Sequence, residues 1–373
     1  MAYKYIGKFD PLKNEQVRIM DENGKIINKD LMPKINDEKL VEAYKLMCLS
    51  RTQDYYQNKQ QRLGKILSFL SSTGQEAGEI AYAMHVRQGK DWFLPAYRNN
   101  AAWLATGIPM KNIMMYWMGN ERANIPPAGV KNLPINIVIG SQYSHAAGIA
   151  FAEKFNNKSD NVVLTTTGDG GSSQGEVYES LNFAQLKKLP VIFVIEDNKW
   201  AISNPSSNAT AALNFAVKGL ASGTPGLKVD GNDFLASWGV FEEAFDYVRK
   251  GNGPILIELN TYRLGAHSSS DNPDVYRPKG EFEEQEKFCP IIRMKKYLVE
   301  KKLWDDKKQA ELDEKNQAFV EKAFEEAMAS KDYPLEDVFE YMYSEMTPIL
   351  KEQYAEAKEF FNKYPESKDG GHH

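Results

Sequence analysis

The sequence predicts an α/β fold built on a mostly parallel central sheet, and three observations carry that prediction. Apolar runs of strand length, Asn161 to Thr167, Val191 to Ile195 and Ile255 to Leu259, alternate with helical segments from Gly175 to about Leu186 and from Ala236 to Arg249. Such alternation implies right-handed crossovers between parallel strands. The strands are almost continuously apolar, as in VIFVI, which suits a sheet covered on both faces. Finally, the bare run Gly168-Asp169-Gly170-Gly171-Ser172-Ser173-Gln174-Gly175 lies between a strand and a helix, at the edge where open α/β sheets hold ligands.

The remaining elements follow in chain order. Residues 1–35 read as an N-terminal arm with a turn at Asp21-Glu22-Asn23-Gly24. Asn36 and Asp37 can cap a helix running to about Arg62, with Leu40, Ala43, Tyr44 and Met47 on one face. A second helix follows Gly74-Gln75-Glu76. Trp92-Phe93-Leu94-Pro95 is a short buried strand that delivers Ala96-Tyr97-Arg98-Asn99 to its C-terminal end. Met118 to Pro134 has prolines, glycines and little periodicity, and reads as a loop. Ile137-Val138-Ile139 is expected as a strand, and Ala146 to Ala150 as the start of a tightly packed helix. Beyond a polar loop at Asp271 to Gly280, charged helices run to about Lys363. The chain thus divides into the arm, an α/β domain at 36–280 and a helical C-terminal extension at 281–368. Residues 369–373 read as an appended remnant, so His372 and His373 are set aside.

The chain has 373 residues, 42% hydrophobic and 26% charged, as in an ordinary globular protein. A net charge of -5 argues against a nucleic-acid partner. No apolar run is long enough to span a bilayer, and the first residues lack a signal-peptide core. Cys48 and Cys289 lie far apart without metal-ligand spacing, which fits reduced thiols in a cytoplasmic setting.

Three chemistries compete for the glycine run. A dinucleotide loop would use Gly170 and Gly175, but the ribose-binding acid would then fall within the apolar strand 190–195. A nucleophile turn would use Gly171-Ser172-Ser173-Gln174-Gly175, with Ser173 attacking and Asp230 or Asp233 and then His267 completing a hydrolase order. That reading leaves Asp169 and Asn198 unexplained. A metal–diphosphate site accounts for more. Asp169 offers a carboxylate at the end of one strand, Asn198 an amide oxygen just past the next, and Trp200 a main-chain carbonyl in the following turn. The glycines admit phosphate oxygens to backbone N–H groups, and the helix near Gly175 adds its positive end.

Gly168-Asp169-Gly170, then the 27 residues 171–197, then Asn198, matches the thiamine diphosphate motif. The longer stretch GDGGSSQGEVYESLNFAQLKKLPVIFVIEDNKWAIS resembles the alpha chains of the decarboxylating component of bacterial pyruvate dehydrogenase complexes, within the 2-oxo acid dehydrogenase family. TGQEA (73–77), PAYR (95–98), IGSQYSHAAGIA (139–150), VDGND (229–233) and TYRLGAHSSSD (261–271) extend the likeness over most of the chain. The resemblance implies a thiamine diphosphate-binding fold with magnesium held by Asp169, Asn198 and the carbonyl of Trp200. It implies Tyr97, Arg98, Gly170, Gly171 and Arg263 around the diphosphate, Ile137 and Ile139 against the pyrimidine, and His267 as the active-site histidine, shuttling or donating a proton near neutral pH. The two arginines would offset a residual charge of about −2 from metal, diphosphate and Asp169. The implied reaction is oxidative decarboxylation of pyruvate, with the acetyl unit passed to a lipoyl group of the dihydrolipoyl acyltransferase. The implied assembly is two alpha and two beta subunits, the beta subunit supplying the glutamate that activates the aminopyrimidine. Branched-chain 2-oxo acids or acetoin stand as alternative substrates, and a Ser173 hydrolase or a non-catalytic cofactor-binding subunit as alternatives of another kind.

Two departures bear on this. Asp197 replaces the first asparagine of the usual pair, and residues 119–124 lack a histidine that relatives often carry, leaving Arg122 as an electrostatic substitute. Plainer roles are expected for His85 and His145 as structural histidines and for Ser268, Ser269 and Ser270 as an ordered loop. Phe69 reads equally as a pocket or a core aromatic.

Overall fold

The computed structural model describes residues 3–156, 160–330 and 334–365; the appended remnant expected at 369–373 lies outside the described residues. The strands are β1 (Trp92–Leu94), β2 (Val163–Gly168), β3 (Val191–Asp197), β4 (Trp200–Ala201), β5 (Asn204–Pro205), β6 (Gly226–Asp230) and β7 (Ile255–Asn260). Five of them form a parallel sheet in the order β1-β2-β3-β7-β6, while β4 and β5 make a small antiparallel ribbon beyond its C-terminal edge. The helices are α1 (Asp37–Arg62), α2 (Glu76–Ala83), α3 (Asn100–Ala105), α4 (Met110–Trp117), α5 (Ser141–Phe155), α6 (Gly175–Lys187), α7 (Phe234–Arg249), α8 (Glu281–Glu286), α9 (Pro290–Glu300), α10 (Asp306–Met328), α11 (Asp337–Glu340) and α12 (Pro348–Lys363).

Side-chain alternation along β3 explains why that strand is apolar throughout. Ile192 and Val194 enter one core with α1, α2 and α7, whereas Val191, Phe193 and Ile195 enter another with α5 and α6. Local chemistry sets the helix ends. Asn36 caps α1 by accepting from Lys39 N at 2.8 Å, and Asp233 caps α7 by accepting from Ala236 N at 3.1 Å.

The N-terminal arm is tied to the sheet. Val17 bridges Val229 on β6, and the Asp21–Gly24 turn is closed by an antiparallel bridge between Met20 and Ile26. Arg293 on α9 lies fully buried beneath it, donating to Asp21 O at 2.7 Å, to Asp230 Oδ2 at 2.9 Å and to Met20 O. Met294 and Leu298 of α9 and Val320 and Phe324 of α10 join the same core as α1.

The chain departs from expectation at Ile137-Val138-Ile139. These residues form an irregular segment, not a strand, and Ile137 and Val138 are 63% and 67% exposed. Among the described residues the free edge of β1 is met only by the bridge between Phe93 and Asn132, after which the chain leaves the sheet and turns at Gly140, φ 92°, into α5. The packed helix consequently begins at Ser141, before Ala146. The described helices include none long and apolar enough to cross a membrane.

Candidate functional site

Because β2 and β3 are parallel neighbours in register from Val163↔Val191 to Gly168↔Glu196, the loops that follow them emerge side by side. They border a cavity of about 460 Å³ at the C-terminal edge of the sheet. Tyr97, Arg98, Ile137, Ile139, Asp169, Gly170, Gly171, Asn198, Trp200 and His267 all line it. Arg263 does not, and reaches it through its partners. Its guanidinium donates to Trp200 O at 2.7 Å, to Ile202 O at 3.0 Å and to Tyr276 Oη at 2.7 Å.

The glycine loop is shaped by close contact. A Cβ on Gly171 would stand 2.1 Å from Thr167 Oγ1 and 2.9 Å from Ile139 Cγ2, and one on Gly170 would stand 2.8 Å from Ala201 Cβ. Asp169 is 2% exposed, and its Oδ2 has no hydrogen-bond partner among the described residues. Burial, and next the nearby Asp197, push its carboxyl up to about 6. A buried carboxylate oxygen left unpaired at the mouth of a glycine loop suits a cation. Asn198 stands across from it. Its Nδ2 donates to Gln75 Oε1 at 2.8 Å, while its Oδ1 receives only a long contact of 3.4 Å from Trp200 N. Asp197, at the departure from the usual asparagine pair, is paired with Lys199 Nζ at 2.5 Å.

Beneath the loop, Lys218 Nζ donates to Ser172 O and Oγ, both at 2.9 Å, and Ser172 Oγ donates to Asp169 O at 2.6 Å. Burial lowers the Lys218 amine to about 8. No local pattern in the sequence marked this lysine, because only the fold brings 218 under 172.

His267 and the arginines form one cluster. Arg98 Nη2 and Arg263 Nη1 each lie 3.2 Å from His267 Nδ1, and Arg98 Nη2 also donates to His267 O at 2.7 Å. Guanidinium groups only donate, so Nδ1 accepts and the ring proton sits on Nε2. Burial, then Arg98 and Arg263, pull the imidazole down to about 4. The ring is therefore neutral at physiological pH, with Nε2–H left to donate. Burial also lowers Arg263, to about 10, with Arg98 adding to it.

Other expected residues fall elsewhere. Arg122 has a side chain 51% exposed, pairs with Asp337 and is not among the residues that line the cavity. His85 packs on Trp238 at 4.2 Å and bonds to its carbonyl, and His145 is exposed on α5. Phe69 is buried edge-on against Trp117 at 5.6 Å. Ser269 bonds to the main chain of Phe69, which orders the loop at 268–270. The hydrolase triad is not assembled. Ser173 donates to Ala209 O at 2.9 Å, Asp230 pairs with Arg293, and Asp233 accepts from the N–H groups of Ile19 and Met20.

Comparison with known proteins identifies the family. The model of the family "Dehydrogenase E1 component" matches residues 44–336. The chain is 43% identical over 342 residues to the pyruvate dehydrogenase E1 component subunit alpha of Acholeplasma laidlawii, covering 91% of this chain and 99% of that one. It is 38% identical to the protein of the same name from Mycoplasma genitalium, covering 92% of this chain and 96% of that one. With the corresponding Staphylococcus aureus protein the identity is 40% over 368 residues, 96% of this chain and 99% of that one. By both the matched family model and these relatives, the chain belongs to the dehydrogenase E1 component family.

Proposed function

We propose that the chain is the alpha subunit of a pyruvate dehydrogenase that uses thiamine diphosphate and magnesium. The observation that carries this reading is the pair Asp169 and Asn198. One presents a buried carboxylate oxygen without a partner, the other an amide oxygen whose nitrogen is already engaged. With the carbonyl of Trp200 they would hold magnesium, a cation that takes oxygen ligands and shares them with phosphates. Tyr97, Arg98, Gly170, Gly171 and Arg263 would surround the diphosphate, and Ile137 and Ile139 would meet the pyrimidine. The planar donor fork of Arg98, which lines the cavity, suits phosphate oxygens, while Arg263 would act from behind it, its donors engaged by Trp200 O, Ile202 O and Tyr276 Oη.

When bound, thiamine diphosphate supplies the carbon nucleophile and the electron sink for decarboxylation. The chain's own residues bind and orient it. His267, neutral and protonated at Nε2, would donate a hydrogen bond to the oxygen of the substrate's keto group as negative charge develops there. The exposed Ile137, Val138, Phe151, Phe155 and Phe183 support a beta-subunit partner, since patches of this kind mark interfaces. Two alpha and two beta subunits, serving the lipoyl group of a dihydrolipoyl acyltransferase in the cytoplasm, complete the reading.

The test is turnover by the chain co-expressed with its beta subunit. Pyruvate should be decarboxylated only when magnesium and thiamine diphosphate are present, and faster than 2-oxoisovalerate or acetoin. Activity that survives removal of the cofactor, together with fluorophosphonate labelling of Ser173, would refute it.

A further inference from the structure

An amide side chain can present either its oxygen or its nitrogen with little intrinsic preference, so neighbours decide which end faces a site. Four side chains from three segments, Gln75 just before α2 and Tyr82 within it, Asn99 before α3 and Glu196 on β3, form a chain of such decisions behind Asn198. It starts at Asn99, whose Oδ1 accepts from Ala96 N at 2.8 Å and Thr166 Oγ1 at 2.6 Å. Its Nδ2 must therefore face the other way, and it donates to both carboxyl oxygens of Glu196 at 2.9 Å. Tyr82 Oη also donates to Glu196, at 3.0 Å. Gln75 follows, turning Nε2 toward Glu196 Oε2 at 3.4 Å and leaving Oε1 to accept from Asn198 Nδ2 at 2.8 Å. Asn198 Oδ1 is left as the end directed away from the relay. Gln75, Asn99 and Glu196 are each at most 3% exposed, so water cannot easily substitute for any of them.

We infer that Gln75 is a positioning residue for the cation site: it fixes the amide of Asn198 with oxygen outward, and Glu196 and Asn99 fix Gln75 in turn. The inference rests on the reading of Asn198 as a metal ligand. Its physical content is pre-organisation. With Gln75 in place, Asn198 offers oxygen to the cation before the cation arrives. Without it, the nitrogen end competes for the same position, and one oxygen ligand is lost for part of the time. Outer partners that orient a ligand typically change metal affinity by about 10–100-fold.

The experiment is a cycle of substitutions in the chain assembled with its beta subunit. Magnesium is titrated at saturating thiamine diphosphate and followed by intrinsic tryptophan fluorescence, since Trp117 and Trp200 line the cavity. Gln75→Met keeps the length of the side chain but removes the amide acceptor. It should weaken magnesium binding about 10–100-fold, with circular dichroism close to wild type. Asn198→Asp places oxygen on both arms, so orientation no longer matters. In that background, adding Gln75→Met should produce no further loss. A purely structural role for Gln75 would weaken both backgrounds equally, and that result overturns the inference. Unchanged affinity in Gln75→Met alone overturns it too, while leaving the metal site intact. An Asn198→Asp variant that binds no magnesium would instead refute the ligand reading on which the inference stands.

Discussion

Arg98 holds His267 at two points, with Nη2 3.2 Å from the ring Nδ1 and 2.7 Å from the main-chain oxygen. The contact keeps the imidazole neutral, because a proton on Nδ1 would face a guanidinium directly. Its folded-state value of about 4 lies below the ordinary 6.5, so between these limits the unfolded chain binds more protons than the folded one. Stability associated with this group is therefore complete above about pH 6.5 and declines as the pH falls toward 4. A His267→Gln variant should lack this component. The wild-type melting temperature should fall relative to the variant's as the pH drops through that window. NMR of the ring should show a midpoint near 4, rising on addition of inorganic pyrophosphate, whose charge would offset the two guanidinium groups. A midpoint at the ordinary 6.5 without pyrophosphate would contradict the cluster geometry.

Asp169 sets function against stability. Its Oδ2 is buried without a partner, and Asp197 lies near enough to raise its carboxyl further. Asp169→Asn keeps the shape and removes the charge. The metal-free chain should become more stable by about 1–3 kcal/mol near pH 7, because the amide buries no charge where burial and then Asp197 raise the carboxyl from 3.8 to about 6. The same substitution should abolish magnesium-dependent retention of thiamine diphosphate in the assembled enzyme. Calorimetry with and without magnesium checks both signs, and a variant less stable than wild type in the metal-free state would refute the unpaired-carboxylate account.

What the sequence made legible was the part written in local pattern. The apolar runs placed β2, β3 and β7, and their parallel alternation placed Asp169 and Asn198 at one edge. The glycine run alone did not decide the chemistry; Asn198, one crossover later, did. Ile137-Val138-Ile139 misled because three apolar residues in a row look like a buried strand, while here they sit exposed beyond the last bridge to β1. β6 was missed because GLKVD carries a lysine and an acid, both used in pairs: Lys228 with Glu258 at 3.6 Å and Asp230 with Arg293 at 2.9 Å. Gln75 and Lys218 were passed over for another reason. Their partners lie 123 and 46 residues away, and only the closed fold brings them together.

The glycines of the loop are not equivalent. Gly171 has no room for a Cβ, which would sit 2.1 Å from Thr167 Oγ1, whereas a Cβ on Gly168 would meet nothing within 4 Å. Gly171→Ala should therefore displace the loop from the end of β2 at a cost of about 1–3 kcal/mol, the range for overpacking. Gly168→Ala should change stability by less than about 0.5 kcal/mol. Paired thermal melts decide it. Equal losses would mean that the loop is limited by backbone conformation and not by contact with Thr167.

Arg293 ties together parts of the chain that are distant in sequence. Placed on α9, it donates to Met20 O and Asp21 O in the N-terminal arm and to Asp230 at the end of β6, with Asp233 Oδ2 3.6 Å away. Asp233 in turn accepts from Ile19 N at 2.7 Å and Met20 N and caps α7. Replacing the guanidinium by an apolar side chain, as in Arg293→Met, leaves two carboxylates close together and takes one donor each from the Met20 and Asp21 carbonyls, which keep Arg18 Nε and Gly24 N. Breaking a buried pair on one side typically costs about 3–5 kcal/mol. The loss should appear first as release of the arm, because Val17, Met20 and the Asp21–Gly24 turn depend on this anchor. Limited proteolysis should then cut near residues 21–24 well before the wild type is cleaved there. Removing a carboxylate as well, in Arg293→Met with Asp230→Asn, should recover part of the stability by relieving the repulsion. If the single variant melts like wild type and resists cleavage at the turn, the arm is held by its apolar contacts, and Arg293 is not what fastens it.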